Sequence, residues 1–405
     1  MTARYARMLA LASIAALAAC SGGASNQTLP LAATGGSATT MNAAGTSANT
    51  RPACAEIQAP GYARCYALIR TDIVATRGVQ PHVSGYGPSD LQSAYNLPTS
   101  QGKGQTIGIV DAFNDPNAES DLAVYRANFG LPGCTTKNKC FQKVGQSGSP
   151  TKLPRPDAGW AGEISLDLDM ASAICPNCKI ILVEASTNRL KSLAFSVDRA
   201  VKMGANVVSN SYGGGGGGGS NVHYDHPGTI ITASSGDGGH RASSPCDYAT
   251  VVCVGGTSLR KDGGSRGWSE TAWGGAGSGC AHLVKKPAWQ TDQGCPFRSE
   301  ADVSAVADPS TGVAIYDTYP SGGWGVIGGT SVSSPVIASV FALAANESSL
   351  NYAQQIWEAG GSAGLNDVTS GRNGTCKARQ QYICQAGPGY DGPTGWGTPN
   401  GLAAF

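Results

Sequence analysis

Charge and histidine are both scarce in this chain. Lys, Arg, Asp and Glu together make up 14% of 405 residues and nearly cancel, leaving a formal net charge of +1. Such a balance gives no electrostatic case for a nucleic-acid partner. The N-terminal apolar run 8–19 is too short for a membrane span, which needs about 20 residues. There are only five histidines, and none sits in a His-Gly-Thr-His setting. A hydroxyl nucleophile in this chain would therefore need a base other than histidine.

Glycine and cysteine are plentiful instead. The 57 glycines imply many tight turns rather than disorder. Arg4 and Arg7 precede the apolar run, and Leu17-Ala18-Ala19-Cys20 resembles a bacterial lipobox, so residues 1–20 read as a lipoprotein-type signal. Cys20 would carry the lipid and place the chain on the cell envelope, outer membrane or surface favoured because Ser21 gives no retention signal, with plain secretion as the alternative. Of the 13 cysteines, the other 12 fall as close neighbours: Cys54/Cys65, Cys134/Cys140, Cys175/Cys178, Cys246/Cys253, Cys280/Cys295 and Cys376/Cys384. Local staples in an oxidising compartment follow. The uncharged Ser/Gly/Ala/Thr/Asn-rich stretch 21–50 cannot bury enough apolar surface to order itself and reads as a tether. Residues 51–83 form a small stapled segment, and 84–405 a single large domain.

Within that domain short apolar strands alternate with helical patterns. Strands are expected at 106–111, 179–184, 205–211, 229–234 and 250–254, and helices at 120–129, 162–174 and 190–203. Near-continuous apolar strands separated by helices predict an α/β fold, a parallel sheet with helices on both faces. Ligands bind beyond the carboxyl ends of such strands.

Three motifs lie where that chemistry belongs. Gly329-Thr330-Ser331-Val332-Ser333-Ser334-Pro335 is a sharp turn into an apolar helix, which lifts the Ser331 hydroxyl and aims free N–H groups at a developing oxyanion. Glu163-Ile164-Ser165-Leu166-Asp167 puts two carboxylates on one helix face, where they can share a proton. Ser235-Gly236-Asp237-Gly238-Gly239 follows the 229–234 strand, and a protonated Asp237 there can donate to an oxyanion. Taken singly, the last two patterns are more often a solvated helix face and a routine turn.

Together and in this order they resemble the sedolisins, the serine-carboxyl peptidases, over residues 84–405. The resemblance implies a subtilisin-like fold and a monomeric endopeptidase that cleaves polypeptides in acid. Ser331 would be the nucleophile, Glu163 its base, Asp167 the group orienting that base, and Asp237 the oxyanion donor. It also implies one structural Ca²⁺, held by Asp367, Val368 and the run Gly387-Pro388-Gly389-Tyr390-Asp391 through carboxylate and carbonyl oxygens. Ser209, Ser211 and Gly213 resemble the strand that pairs with bound peptide. The glycine tract 213–219 reads as a loop beside the cleft.

One departure from the family is visible. Sedolisins are made with a large N-terminal propeptide domain, whereas here residues 21–83 precede the catalytic core, leaving the stapled segment as a smaller substitute. An alternative reading is a catalytically silent surface lipoprotein that binds a peptide or partner. Asp111 resembles a catalytic aspartate but has no matching histidine, so it reads as a supporting carboxylate. Cys175-Pro176-Asn177-Cys178 mimics a redox motif and reads as a staple. His223 and His226 read as loop residues rather than metal ligands, and Trp160 as packing beside the site.

Overall fold

Alternating side chains along each central strand sort themselves onto two faces, and each face meets its own layer of helices. The computed structural model describes residues 49–56, 59–215, 221–319 and 321–405. Seven parallel strands make the main sheet: Phe141–Gly145, Lys179–Ala185, Thr106–Ala112, Val207–Asn210, Ile230–Ser234, Val252–Lys261 and Val303–Val306. Trp268–Ala272 adds antiparallel to the 252–261 strand. Ile107, Ile109, Ile180, Leu182, Val207 and Ile230 point into one core, together with Ile164, Leu166, Val336 and Ile337 of the helices Ala158–Ile174 and Thr330–Ala344. Their neighbours Val110, Ile181, Val183, Val208 and Ile231 point the other way, onto Leu193, Ala194 and Val197 of the helix Leu190–Lys202. Both faces are dry, which is why these strands are apolar at nearly every position.

This is the α/β, subtilisin-like arrangement expected from the sequence. The strand expected at 250–254 runs on to Lys261, because its second half is paired by Val303–Val306 and Trp268–Ala272. The 158–174 helix starts four residues earlier than expected (158 against 162), where Asp157 accepts hydrogen bonds from the Gly159 and Trp160 amides. Its residues from Trp160 to Ile174 are all buried, as for a helix enclosed on every side.

A second sheet was not anticipated. Thr50–Pro52, Leu68–Arg70, Gly323–Gly328 and Val313–Asp317 pair antiparallel in that order. It stitches the N-terminal stapled segment onto the hairpin just before the Ser331 turn. All six neighbouring cysteine pairs are disulfides, from Cys54–Cys65 to Cys376–Cys384. Among the described residues no helix is long and apolar enough to cross a membrane. The signal, Cys20, almost all of the tether, and glycines 216–219 of the tract lie outside the described residues.

Candidate active site

Ser331 is the second residue of the 330–344 helix, which follows Gly329 at φ +96°. Only glycine suits that position: a Cβ there would lie 1.8 Å from the Tyr66 carbonyl oxygen and 2.6 Å from Asp237 Oδ2. The Ser331 hydroxyl donates to the Ser211 carbonyl at 3.2 Å and accepts from the Tyr66 amide at 3.0 Å. Ser334, one helical turn further on, joins its hydroxyl to Ser209 at 3.0 Å and Thr232 at 2.9 Å, pinning the helix to the strand ends.

Glu163, Asp167 and Asp111 form one fully buried carboxyl cluster beneath the serine. Asp167 accepts from the Ser211 hydroxyl at 2.7 Å, while its second oxygen and both oxygens of Asp111 and Glu163 lack a well-formed hydrogen bond. Glu163 nevertheless feels the Ser331 hydroxyl and the Ala67 amide, both of which pull its pKa down. The contacts fall short of full hydrogen bonds, as acid–base pairs often do before substrate chemistry begins. Burial and then the neighbouring Asp111 push Glu163 well above the usual carboxylate range. Burial, Asp111 and Glu163 do the same to Asp167. Burial and then Glu184 raise Asp111 to about 8. The ordinary glutamate value of about 4.3 does not hold for Glu163 in this enclosure, since desolvation disfavours the charged form and no cation compensates. Protons in this cluster belong to the group rather than to one residue.

Asp237 lies on the far side of the serine turn. Its Oδ1 accepts from the Thr330 amide at 2.8 Å and the Thr330 hydroxyl at 2.9 Å, and that hydroxyl in turn accepts from the Gly236 amide at 3.1 Å. Thr330 thus locks the two motif turns together. Asp237 Oδ2 is buried without a partner, and burial raises the group to about 7. A neutral carboxyl with one oxygen anchored and the other free is a ready hydrogen-bond donor.

The strand at the cleft edge carries the other expected residues. Ser211 and Gly213 face the N-terminal segment: Cys65 pairs with Tyr212 and Arg64 with Gly213, and the Tyr66 amide reaches the Ser211 carbonyl at 3.4 Å. Ser209 points away, toward Ser334. Some distance along the chain, the Gly389 amide donates to Asp367 at 2.8 Å and the Gly387 amide to Asp391 at 3.1 Å. Asp391 is buried and raised to about 8, by burial first and with Asp367 adding to the rise. Val368 is buried beside Asp367. Two carboxylates facing one glycine loop form an oxygen-rich set that fits a hard cation such as Ca²⁺.

The chain is similar in sequence and fold to known peptidases. Residues 158–358 match the Subtilase family. Kumamolisin of Bacillus sp. (strain MN-32) is 28% identical over 79% of the chain and 63% of its own length. Sedolisin of Pseudomonas sp. (strain 101) is 26% identical over 78% of the chain and 60% of its length. A solved Pseudomonas sedolisin, a serine-carboxyl proteinase with two molecules of pseudo-iodotyrostatin, superposes with a TM-score of 0.65 at 25% identity, over 79% of this chain and 96% of that one. The chain is similar in sequence and fold to the serine-carboxyl peptidases kumamolisin and sedolisin. It spans about three fifths of the length of kumamolisin and sedolisin.

Several residues around the site were missed by sequence reading. Thr330 lies within a motif already quoted, but its role depends on Asp237, which is 93 residues away. Tyr66 and Ala67 carry no motif at all. Asp111, read as a supporting carboxylate, acts electrostatically on both Glu163 and Asp167. Cys175 and Cys178 are oxidised, His223 and His226 both pair with Asp198, and Trp160 packs edge-on to Phe113.

The buried carboxyls dictate how stability depends on pH. A carboxyl whose folded pKa exceeds its unfolded value of about 4 binds its proton more tightly when folded. Its contribution is complete below that value and is lost as pH rises through the folded pKa. Asp111, Asp237, Glu184 and Asp391, raised to about 8, 7, 8 and 8, all act in this sense. His240, pulled down by burial, opposes them with a single proton. Without added calcium, Tm is expected to fall steadily as pH is raised from about 5 to about 8. Differential scanning fluorimetry across that range checks it, and a flat or rising Tm contradicts it.

Proposed function

We propose that this protein is a serine-carboxyl endopeptidase that hydrolyses polypeptides in acid. Ser331 attacks the scissile carbonyl, Glu163 takes its proton and later delivers it to the leaving amine, and Asp167 orients Glu163. Neutral Asp237 donates a hydrogen bond to the oxyanion. The observation carrying this reading is the position of Ser331, between the Glu163 carboxyl and the unpartnered Asp237 oxygen at a helix start. Glu163 serves as base once the shared cluster has given up a proton, which burial postpones to a higher pH than for an ordinary glutamate. Ser211 and Gly213 supply the edge against which peptide pairs.

The pH profile follows from the two sides of the site. Activity requires Asp237 to be protonated, so it is present below its pKa of about 7 and is lost as pH rises through that value. On the acid side it fails when the Glu163–Asp167–Asp111 cluster holds its last proton. Ser331→Ala is expected to abolish hydrolysis of a mixed peptide library, and Asp237→Ala to lower kcat by about 10²–10³-fold. Asp237→Asn, a donor that cannot titrate, is expected to remove the alkaline limb. An unchanged limb in that variant would remove Asp237 from the oxyanion role.

Asp367 and Asp391, with backbone oxygens of the 387–389 loop, would hold Ca²⁺ and neutralise two adjoining carboxylates. The ion's work there is structural, tying the loop to the strand Leu365–Asn366. Chelation by EGTA at neutral pH is expected to lower Tm, and Asp391→Asn to remove that calcium dependence. Saturating calcium at 100 times its Kd would contribute about 2.7 kcal/mol. A Tm indifferent to EGTA contradicts the site.

Envelope anchoring through a lipid on Cys20 belongs to the same proposal, on the lipobox-like Leu17-Ala18-Ala19-Cys20. Cys20→Ser is expected to move the protein from the membrane fraction to the soluble fraction of expressing bacterial cells. Membrane retention of that variant would point to a different anchor.

A further inference from the structure

Apart from the serine cleft, the structure holds a cavity of about 910 Å³ with a largely apolar lining. Its walls come from the loop 291–294 and the segment 377–382, and Trp357, Tyr390 and Trp396 complete it. None of Glu163, Asp167, Asp237 or Ser331 borders it. The volume is that of a small-ligand site.

The rings are held in place from behind. The Trp357 indole N–H donates to Asp302 Oδ1 at 2.8 Å, and the buried Arg298 donates to the same oxygen at 2.9 Å. Tyr390 stacks on Trp357 with centroids 4.3 Å apart, and Trp396 meets the two at 5.7 and 5.8 Å. A Cβ on Gly360 would lie 2.4 Å from the Trp396 ring, and one on Gly294 would lie 2.5 Å from the Tyr382 ring. Both positions stay bare so that the rings can lie there. Rings this close pack on one another as a platform. They do not surround an empty centre, as a cage for a quaternary ammonium does.

Charge narrows the ligand further. Asp292, the one carboxylate on the wall, is already neutralised: Lys286 pairs with it at 2.8 Å, and the Ser299 and Tyr382 hydroxyls donate to it at 2.7 and 2.6 Å. Lys377 and Arg379 also line the cavity, both exposed, and among the described residues no carboxylate pairs with either. Two buried polar atoms of the wall, the Tyr390 hydroxyl and the Trp396 indole nitrogen, have no hydrogen-bond partner among the described residues. Aromatic faces, unspent donors and two unpaired cations together suit a flat apolar body that carries a negative charge. The chain's own stretch 21–50 has no aromatic and no charged residue, so it does not fit.

We propose that this cavity is a second peptide-binding site, which takes a C-terminal aromatic residue against Trp357, Tyr390 and Trp396 and its carboxylate against Lys377 and Arg379. The choice of ligand rests on the peptidase reading above, because each hydrolysis leaves one new C-terminal carboxylate. The cavity has room for residues preceding the aromatic one.

Binding would be measured by isothermal titration calorimetry with full-length Ser331→Ala, which leaves the probe intact, at about pH 5, where a C-terminal carboxyl is ionised. The probe is N-acetyl-Ala-Ala-Phe with a free carboxylate. Its affinity is expected to fall roughly tenfold or more when the carboxylate is replaced by an amide, or the final residue by alanine. Lys377→Glu with Arg379→Glu should weaken the probe by a similar factor without lowering Tm, since both side chains are exposed. Equal affinity for the amide would overturn the inference. So would unchanged affinity in the doubly substituted protein, which would place the probe elsewhere, the serine cleft included. N-acetylphenylalanine held as tightly as the tripeptide would replace the peptide by a free aromatic acid, and preference for an N-acetylglucosamine trimer would replace it by a sugar; either overturns the proposal. Wild-type hydrolysis of a mixed peptide library in acid separates the two readings. Hydrolysis without tripeptide binding brings down this site alone, and binding without hydrolysis brings down the peptidase reading alone.

Discussion

Everything in this molecule is arranged around one electrostatic constraint: three carboxyls, Glu163, Asp167 and Asp111, enclosed with no cation among them. Ionising all of them in that enclosure would be prohibitively costly, so the cluster must keep protons. The 158–174 helix that supplies two of them is wrapped by the sheet on one side and by the 330–344 helix and the 313–317 strand elsewhere. Its second face carries another buried carboxyl, Asp169, satisfied by the Tyr316 amide at 2.8 Å. A protein built this way is most at ease in acid, and the chemistry proposed for it uses the same protons.

The serine turn and the Asp237 turn form one rigid unit rather than two. Thr330 gives both its amide and its hydroxyl to Asp237 Oδ1, and Ser234 donates to the Thr330 carbonyl at 2.9 Å. With one oxygen so anchored, the other has a fixed direction before any substrate arrives. Preorganised donors of this kind need no rearrangement as charge develops. Below them, Ser334 fastens the same helix to the ends of the 207–210 and 230–234 strands.

The N-terminal segment changes the meaning of the cleft. The sequence suggested a small stapled piece preceding the domain, a modest substitute for a larger blocking domain. In the structure its strands share a sheet with the hairpin leading to Ser331, and its middle covers the serine itself. Strand pairing is a sequence-tolerant way to hold a chain in a cleft, because the main chain makes the bonds.

Local chemistry made much of this legible from the sequence alone. Strands buried on both faces must be apolar throughout, so 106–112 and 179–185 announced themselves. Glycine at 329 and carboxylates four apart at Glu163 and Asp167 betray a turn and a helix face, because backbone geometry is decided within a few residues. Neighbouring cysteines likewise pair before distant ones can meet. What the sequence could not show is long-range juxtaposition and the dielectric it creates. Tyr66 lies 265 residues from Ser331 in the chain, and nothing near either one signals the contact. The raised pKa values of Asp111, Glu163 and Asp167 come first from burial, which no spacing of residues can report. Tertiary packing alone decided which carboxyls are shut away from water, and which stretch of the chain lies across the serine.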